Sequence, residues 1–200
     1  MSNASQARDD ELALLFTAAR THYAWLSTPV GDDILQRVYE LARWAPTGGN
    51  SNPLRIVFAK SVEAKQRLIP ALAPTNVDKA MTSPVTAILA YDTAWYDHLP
   101  ELAPFRQGAR EQMLAQPAER RERLSVLNAD LQAAYLILAA RALGLDCGPM
   151  GGFDAAKVDA EFFPDGAWRT LLLLNLGYGD PAKTVARMPR LEFATACKIM

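Results

Sequence analysis

A long apolar segment near the middle of the chain restricts the fold more than any other feature. From Val126 to Leu145 the side chains are apolar on almost every face of a helix, with Leu131 and Tyr135 on one face and Ala139 on another. A helix that is apolar all round is buried, whereas a surface helix shows a polar face. The segment therefore predicts a long helix, either at the centre of the fold or in a dimer interface.

Strand-like runs and further helical patterns surround this segment. The runs 56–59, 85–90 and 171–176 are apolar and lie next to Pro, Gly or polar residues, which is typical of buried strands. Helical patterns come before the first run and over residues 61–72. The length of 200 residues favours a single domain, residues 1–200. The order of helices and strands alone fits an α+β fold or a doubly wound α/β sheet equally well.

Charge and composition exclude several classes of function. Lys and Arg number 21 against 22 Asp and Glu, and this formal charge of −1 shows no electrostatic footprint for nucleic acid. The first residues lack the basic region and apolar run of a signal peptide, and no apolar run approaches the roughly 20 residues of a membrane helix. Cys147 and Cys197 lie far apart and are interpreted as reduced thiols. We expect a cytoplasmic protein.

The loop that follows the helical pattern of residues 34–45 is the best candidate for a binding site. Pro46 ends that helix, and Gly48 and Gly49 permit positive φ and expose backbone N–H groups. Because no Gly-Lys-Ser/Thr follows the glycines, a phosphate-binding P-loop is excluded. The loop suits the edge of a flat polar heterocycle, although such residues also form ordinary turns. Its side chains that both donate and accept hydrogen bonds are Thr47, Asn50, Ser51 and Asn52.

No side chain is predicted to be catalytic or to bind a metal. His22 and His98 are the only histidines, and no Cys/His pair has the spacing of metal ligands. No Ser or Cys lies in a nucleophile signature such as Gly-x-Ser-x-Gly, and Cys147 is interpreted as a buried structural thiol. Binding loops without acid–base or nucleophilic groups are typical of proteins in which a cofactor supplies the chemistry.

The candidate loop and the blocks on either side of it resemble one enzyme family. Residues 43–53, Arg-Trp-Ala-Pro-Thr-Gly-Gly-Asn-Ser-Asn-Pro, resemble the flavin loop of the FMN-dependent nitroreductase family, with Asn52 where Gln is usual. Further blocks match in the family's order: Ala-Arg-Thr-His at 19–22, Asn76 with Lys79, Gly-Pro-Met-Gly-Gly-Phe-Asp at 148–154, and Arg-Met-Pro-Arg-Leu at 187–191. The combination is most similar to the malonic semialdehyde reductase branch, which belongs to pyrimidine utilisation.

The resemblance implies a fold, a cofactor and the residues that hold it. The implied fold is α+β, with a small, mainly antiparallel sheet between helices, a long central helix, and a homodimer with FMN sites at its interface. The expected phosphate contacts are Arg20, Thr21, Arg187 and Arg190, and the flavin ring and ribityl chain would contact Asn76 and Lys79. The expected contacts to the flavin edges are Pro46, Thr47, Gly48, Asn50, Asn52, Met150, Gly151 and Gly152.

The same resemblance implies an activity. NADPH or NADH would reduce FMN, and a small electrophile would then be reduced with ping-pong kinetics, Lys79 giving electrostatic support. The branch implies reduction of malonic semialdehyde to 3-hydroxypropanoate. A broad-specificity nitroreductase or flavin reductase is one alternative, and a non-catalytic flavin-binding protein is another. Residues 92–123, irregular and with scattered aromatics, are interpreted as a lid or specificity segment, or as a helical excursion packed against a partner subunit.

Overall fold

The computed structural model describes residues 3–200. The strands are β1 (Leu54–Ala59), β2 (Val85–Asp92), β3 (Asp146–Met150) and β4 (Trp168–Gly177). The helices are α1 (Asn3–Leu12), α2 (Asp32–Ala42), α3 (Val62–Gln66), α4 (Pro74–Thr82), α5 (Leu99–Leu102), α6 (Ala109–Leu114), α7 (Ala118–Ala142), α8 (Ala155–Phe162) and α9 (Phe193–Ala196). A π-helical turn (Ala13–Thr17) and short 3-10 turns complete the regular structure.

The strands form one sheet in the order β1–β2–β4–β3, and every neighbouring pair is antiparallel. The α+β prediction is confirmed, and the doubly wound alternative is wrong because that sheet would be mostly parallel. β1 and β3 form opposite edges of the sheet. At a usual spacing of about 4.8 Å between strands, the two edges lie about 14 Å apart.

Helices cover both faces of the sheet, as the resemblance implies. Leu173 and Leu174 of β4 are both fully buried, and because successive strand residues point to opposite faces they serve two different cores. Leu174 packs in the core that contains Val38 of α2 and Leu136 of α7. Leu173 packs in the second core, together with Val158 of α8. The sheet is therefore the middle layer of a sandwich.

The long helix α7 is buried on one side only. It packs against α2 and the sheet, but Leu127, Leu131 and Tyr135 on its other side are 55%, 43% and 41% exposed. These three residues, spaced four apart, are called the outer stripe. The prediction that every face of this helix is buried is not met within one chain. α7 also begins earlier than predicted, since residues 118–123 form its first turns.

The remainder of the segment predicted to be irregular is mostly helical. Residues 95–114, called the excursion, comprise a 3-10 turn (Trp95–His98), α5 and α6. Trp95, Leu99 and Ala109 form a small core separate from the two main ones. The helical alternative describes its secondary structure correctly, although Trp95 packs within its own chain.

Two prolines account for further differences between the predicted and observed elements. Pro74 follows the helical pattern of residues 61–72 and opens α4, where its missing N–H is not needed. Asn76 and Lys79 consequently lie one turn apart on a helix and not in a loop. Pro149 lies in β3, which the sequence presents as part of a Gly-rich turn, and the edge position of β3 tolerates it.

Candidate functional site

The loop between α2 and β1 has a backbone conformation that few residue types adopt. Gly49, Asn50 and Asn52 have φ values of +66°, +57° and +43°, in the left-handed region that Gly and Asn enter most readily. The N–H of Asn52 donates to Thr47 Oγ1 at 3.3 Å and closes the loop on itself. The structure brings together the five predicted residues of this loop: Pro46, Thr47, Gly48, Asn50 and Asn52.

The buried side-chain amides of Asn128 and Gln132, both in α7, form hydrogen bonds with this loop and with the start of β1. The N–H of Gly48 donates to Asn128 Oδ1 at 2.6 Å. One turn further along the helix, Gln132 Oε1 accepts from the N–H of Leu54 at 2.9 Å, and Gln132 Nε2 donates to Asn52 Oδ1 at 3.2 Å. Sequence reasoning missed both residues. The available signal was a pair of amides spaced four apart, on one face of a mainly apolar helical segment.

The asparagine side chains of the loop are engaged with the loop itself and with the neighbouring helices. Asn52 Nδ2 donates to the backbone oxygen and to Oδ1 of Asn50, each at 2.9 Å. Asn50 Nδ2 donates to the backbone oxygen of Leu102 in α5 at 2.7 Å. The amide of Asn52 is thus engaged on both its nitrogen and its oxygen. Its contact with a cofactor stays a prediction.

A second group of predicted residues lies around Lys79 in α4. Its Nζ donates to Asn76 Oδ1 at 3.0 Å and lies 4.8 Å from the centre of the Tyr23 ring. Asn76 is buried, and its Nδ2 donates to the backbone oxygen of Gly152 at 3.0 Å. This network fixes the ammonium beside the loop that follows β3. Tyr23 supplies an aromatic face for the cation, a role that sequence reasoning missed.

A third group joins residues 17–20 with residues 185–187. Arg187 Nη2 donates to the backbone oxygens of Thr17 and Ala19, both at 2.8 Å. Arg20 Nη2 donates in the opposite direction, to the backbone oxygen of Val185. Among the described residues, no carboxylate pairs with either arginine. Two neighbouring guanidinium groups without an acid make a local surplus of positive charge that suits an anion.

The other predicted residues around β3 contribute in different ways. Thr21 forms a parallel bridge with Cys147 of β3. Met150 is buried, and its Sδ accepts from Asn175 Nδ2 at 3.4 Å, so its side chain belongs to the core. Gly151 is exposed, with open space where a Cβ would lie. Arg190 Nη1 donates to the nearby backbone oxygens of Met188 and Pro189.

The predicted residues therefore form two halves on opposite edges of the sheet. The loop half, residues 46–53, leads directly into β1. The arginine half lies at the β3 edge and comprises Arg20, Thr21, Asn76, Lys79, Met150, Gly151, Gly152 and Arg187. Arg190 contacts only the backbone of its own segment. Because β1 and β3 lie about 14 Å apart, the halves do not form one compact site within a single chain.

Two cavities adjoin the loop half. One of about 200 Å³ is lined by polar and charged residues that include Asn52, Arg55, His98 and Gln132. The other, of about 220 Å³, lies beside Gly48 and Gly49 and is mainly apolar. Its remaining lining residues are Trp95, Leu99, Arg106, Met113, Leu124 and Asn128.

The structure supports the interpretation of Cys147 as a structural thiol. Burial raises its pKa to about 12, so the thiol stays protonated at neutral pH and is a poor nucleophile. In the described part of the chain, no group of three or more His, Cys, Asp or Glu side chains is arranged to hold a metal ion. Among the helices of residues 3–200, none is both long and apolar enough to cross a bilayer.

Comparison with known proteins gives consistent matches over most of the chain. The model of the nitroreductase family matches residues 17–178. A relative from Leptothrix cholodnii, named NADH dehydrogenase/NAD(P)H nitroreductase, is 53% identical over 193 residues, covering 96% of this chain and 98% of the relative. A relative from Rhodopseudomonas palustris with the same name is 51% identical over 197 residues, covering 96% and 97%.

The fold agrees with a solved structure as well. A crystal structure described as a nitroreductase from Exiguobacterium sibiricum in complex with FMN superposes with a TM-score of 0.85, covering 96% of this chain and 97% of the other. Its sequence is 21% identical, so this likeness concerns the fold. The family model and the two relatives extend the agreement to sequence. The chain belongs to the nitroreductase family.

Proposed function

We propose that this protein is an FMN-dependent NAD(P)H oxidoreductase that reduces a small electrophile. The observation that carries the proposal is the acid-free pair Arg20 and Arg187 at the same sheet edge as the Lys79 network. Guanidinium groups form forked hydrogen bonds to phosphate oxygens. The relatives named NAD(P)H nitroreductase and the FMN complex of the similar structure support the choice of cofactor and hydride donor.

The donor groups of the arginine half fit this cofactor. Arg20 and Arg187 each direct one nitrogen to the backbone, which leaves other N–H groups for a phosphate. Gly151 leaves open space next to the backbone, where a flat ring could approach. Lys79 would place a positive charge near the ring. When bound, FMN would supply hydride transfer between NAD(P)H and the substrate.

We propose that a second copy of the chain completes the site. The loop half of one protomer would meet the arginine half of its partner, because one chain holds them on opposite edges. The outer stripe of α7 offers an apolar surface for this contact. Residues 185–200 are exposed along their whole length and carry large apolar side chains, with Met188, Leu191 and Phe193 at 74%, 75% and 62% exposure. A tail of that composition is expected to be covered in the assembled protein.

Malonic semialdehyde is the specific substrate that we propose, on the resemblance described above. A nitroaromatic compound and free flavin are the substrates of the alternative reductase. A non-catalytic flavin-binding protein is the alternative of another class. We place the protein in the cytoplasm as part of the same proposal, because NAD(P)H is supplied inside the cell.

The first experiment is anaerobic mixing of the purified yellow protein with NADPH or NADH. Bleaching of the flavin absorbance within seconds supports an oxidoreductase, whereas a flavin that stays oxidised with both donors supports the non-catalytic alternative. Steady-state rates with malonic semialdehyde, a nitroaromatic compound and free flavin then rank the substrates. A kcat/KM for malonic semialdehyde below that for both others would reject it as the preferred substrate.

A further inference from the structure

The mainly apolar cavity beside Gly48 and Gly49 has the form of a small binding pocket. Its wall is built by the excursion and by α7, with the indole of Trp95 and the side chains of Leu99, Met113 and Leu124. At about 220 Å³ it is smaller than the roughly 300–1,000 Å³ of pockets for drug-sized ligands. One aromatic ring or a short aliphatic chain fits this space, and a dinucleotide does not.

Arg106 is the one charged residue that lines this cavity. Its guanidinium makes no hydrogen bond or ion pair with any group that the structure describes. Neighbouring cations differ in this respect. Arg110 pairs with Asp97 at 2.7 Å and with Glu111 at 3.6 Å, and Arg55 pairs with Asp92 at 2.5 Å.

The candidate flavin loop provides room for the guanidinium. Gly49 has a φ of +66°, and a Cβ added there would collide with Arg106 Nη1. Glycine at this position therefore allows the cation to lie directly against the loop backbone. Asn128 fixes the adjoining residue by accepting from the N–H of Gly48 at 2.6 Å. The loop backbone beside the cation is thus fixed by α7.

We infer that Arg106 binds a carboxylate of the substrate, while the apolar part of the substrate occupies the cavity. The protein would then prefer small anionic electrophiles to neutral ones of the same size, and Arg106 would determine this specificity. The inference rests on the proposed function, because it places the substrate beside the loop that would contact the cofactor. Hydrogen bonds to a charged group contribute about 1.5–3 kcal/mol, which corresponds to a preference of about 10- to 100-fold.

The test compares para-nitrobenzoate with para-nitrobenzamide, which have nearly the same size and differ in charge. Binding to the oxidised holoprotein is measured by quenching of tryptophan fluorescence, since Trp95 lies in the cavity wall. Turnover of both compounds with NAD(P)H gives a second readout. The variants are Arg106→Gln, which removes the charge, Arg106→Lys, which keeps it, and Arg110→Gln as the matched control.

We expect the wild-type protein and Arg110→Gln to bind the benzoate at least about 10-fold more tightly than the amide. In Arg106→Gln the ratio should fall close to one, and Arg106→Lys should restore part of it. An equal affinity for the two compounds in the wild-type protein would overturn the inference. The same conclusion would follow from an unchanged ratio in Arg106→Gln, or from an equal loss in Arg110→Gln.

Three further measurements separate this inference from the proposed function and from other anions. A protein that prefers the benzoate in binding but shows no flavin reduction by NAD(P)H would refute the proposed function and retain the pocket. A rise in KM for NADPH but not for NADH in Arg106→Gln would assign the residue to the nucleotide phosphate and overturn the inference. Loss of flavin from Arg106→Gln would overturn it as well.

Discussion

The loop half and the arginine half of the candidate site differ in how the chain holds them. The loop half is fixed by side chains of the folded body, above all Asn128 and Gln132 of α7. The outer part of the arginine half is held where Arg20 and Arg187 reach backbone oxygens of segments near the two ends of the chain. The loop half is therefore tied to the sheet and to α7, whereas the outer part of the arginine half is tied only to segments near the two ends of the chain.

The largest expected effect comes from reversing the charge of two predicted phosphate ligands, Arg187 and Arg190. In Arg187→Glu combined with Arg190→Glu, acidic groups would replace the proposed phosphate ligands, and the protein should purify without colour. The measurement is the ratio of flavin to protein absorbance, expected to fall at least about 10-fold. Arg120→Glu with Arg123→Glu makes the same change of charge on the exposed start of α7 and should keep its flavin. Full flavin content in the first variant would show that the phosphate lies elsewhere.

The next largest effect is expected from disrupting the proposed contact between two protomers, which would separate the loop half of one from the arginine half of the other. Leu131→Glu places a charge in the middle of the outer stripe, where it leaves the core of one chain intact but disfavours an apolar contact with a second copy. Sedimentation should show a monomer at micromolar concentration, with flavin released. Val62→Glu, at a site that is 54% exposed on α3, is the control. A Leu131→Glu monomer that retains FMN would mean that one chain holds the cofactor alone.

A smaller effect is expected from removing one of the hydrogen bonds that hold the loop half in place. Gln132→Met keeps the volume of the side chain but leaves the buried N–H of Leu54 without its acceptor. The free energy of unfolding should fall by about 1–3 kcal/mol, measured in urea. Gln36→Met, on the exposed side of α2, should stay close to wild type. Equal stability of both variants would contradict the role given to Gln132.

The smallest expected effect is a change in the reduction potential of the flavin. It would connect Lys79 of the arginine half with the proposed hydride transfer. Lys79→Met keeps the aliphatic stem and removes the charge that would favour reduced, negatively charged flavin. The flavin should remain bound while its midpoint potential falls by about 30 mV, or roughly 1.4 kcal/mol for a two-electron couple. Lys79→Arg should lie nearer the wild-type value. An unchanged potential in flavin-replete Lys79→Met would place the charge elsewhere.

The sequence predicts the elements whose burial leaves a simple pattern. The run 171–176 lies within β4, because a strand buried on both faces needs an uninterrupted apolar stretch. β3 was missed because Gly148 and Pro149 have low strand propensity, and only its position at a sheet edge explains their presence. Strand identity there depends on a neighbour that is distant in sequence.

The candidate site shows the same limit. The sequence alone predicts that Asn50 and Asn52 lie in a loop, since Gly and Asn favour left-handed backbone. The hydrogen bonds that Asn128 and Gln132 make with this loop could not be predicted, because an amide in a helix gives no information about its partner. Arg106 and Arg110 stand four residues apart in one segment, and only the folded chain shows which of them has an acid beside it.

The separate core of the excursion has a consequence for protein engineering. Trp95, Leu99 and Ala109 pack with one another and not with the two main cores. The segment is anchored at its start, where Trp95 Nε1 donates to the backbone oxygen of Arg121 in α7 at 3.2 Å. Residues 95–114 therefore form a unit that could be exchanged between relatives, provided that its contacts with Asn50, Asp92 and Arg121 are kept. Such chimaeras would test whether this segment determines substrate choice.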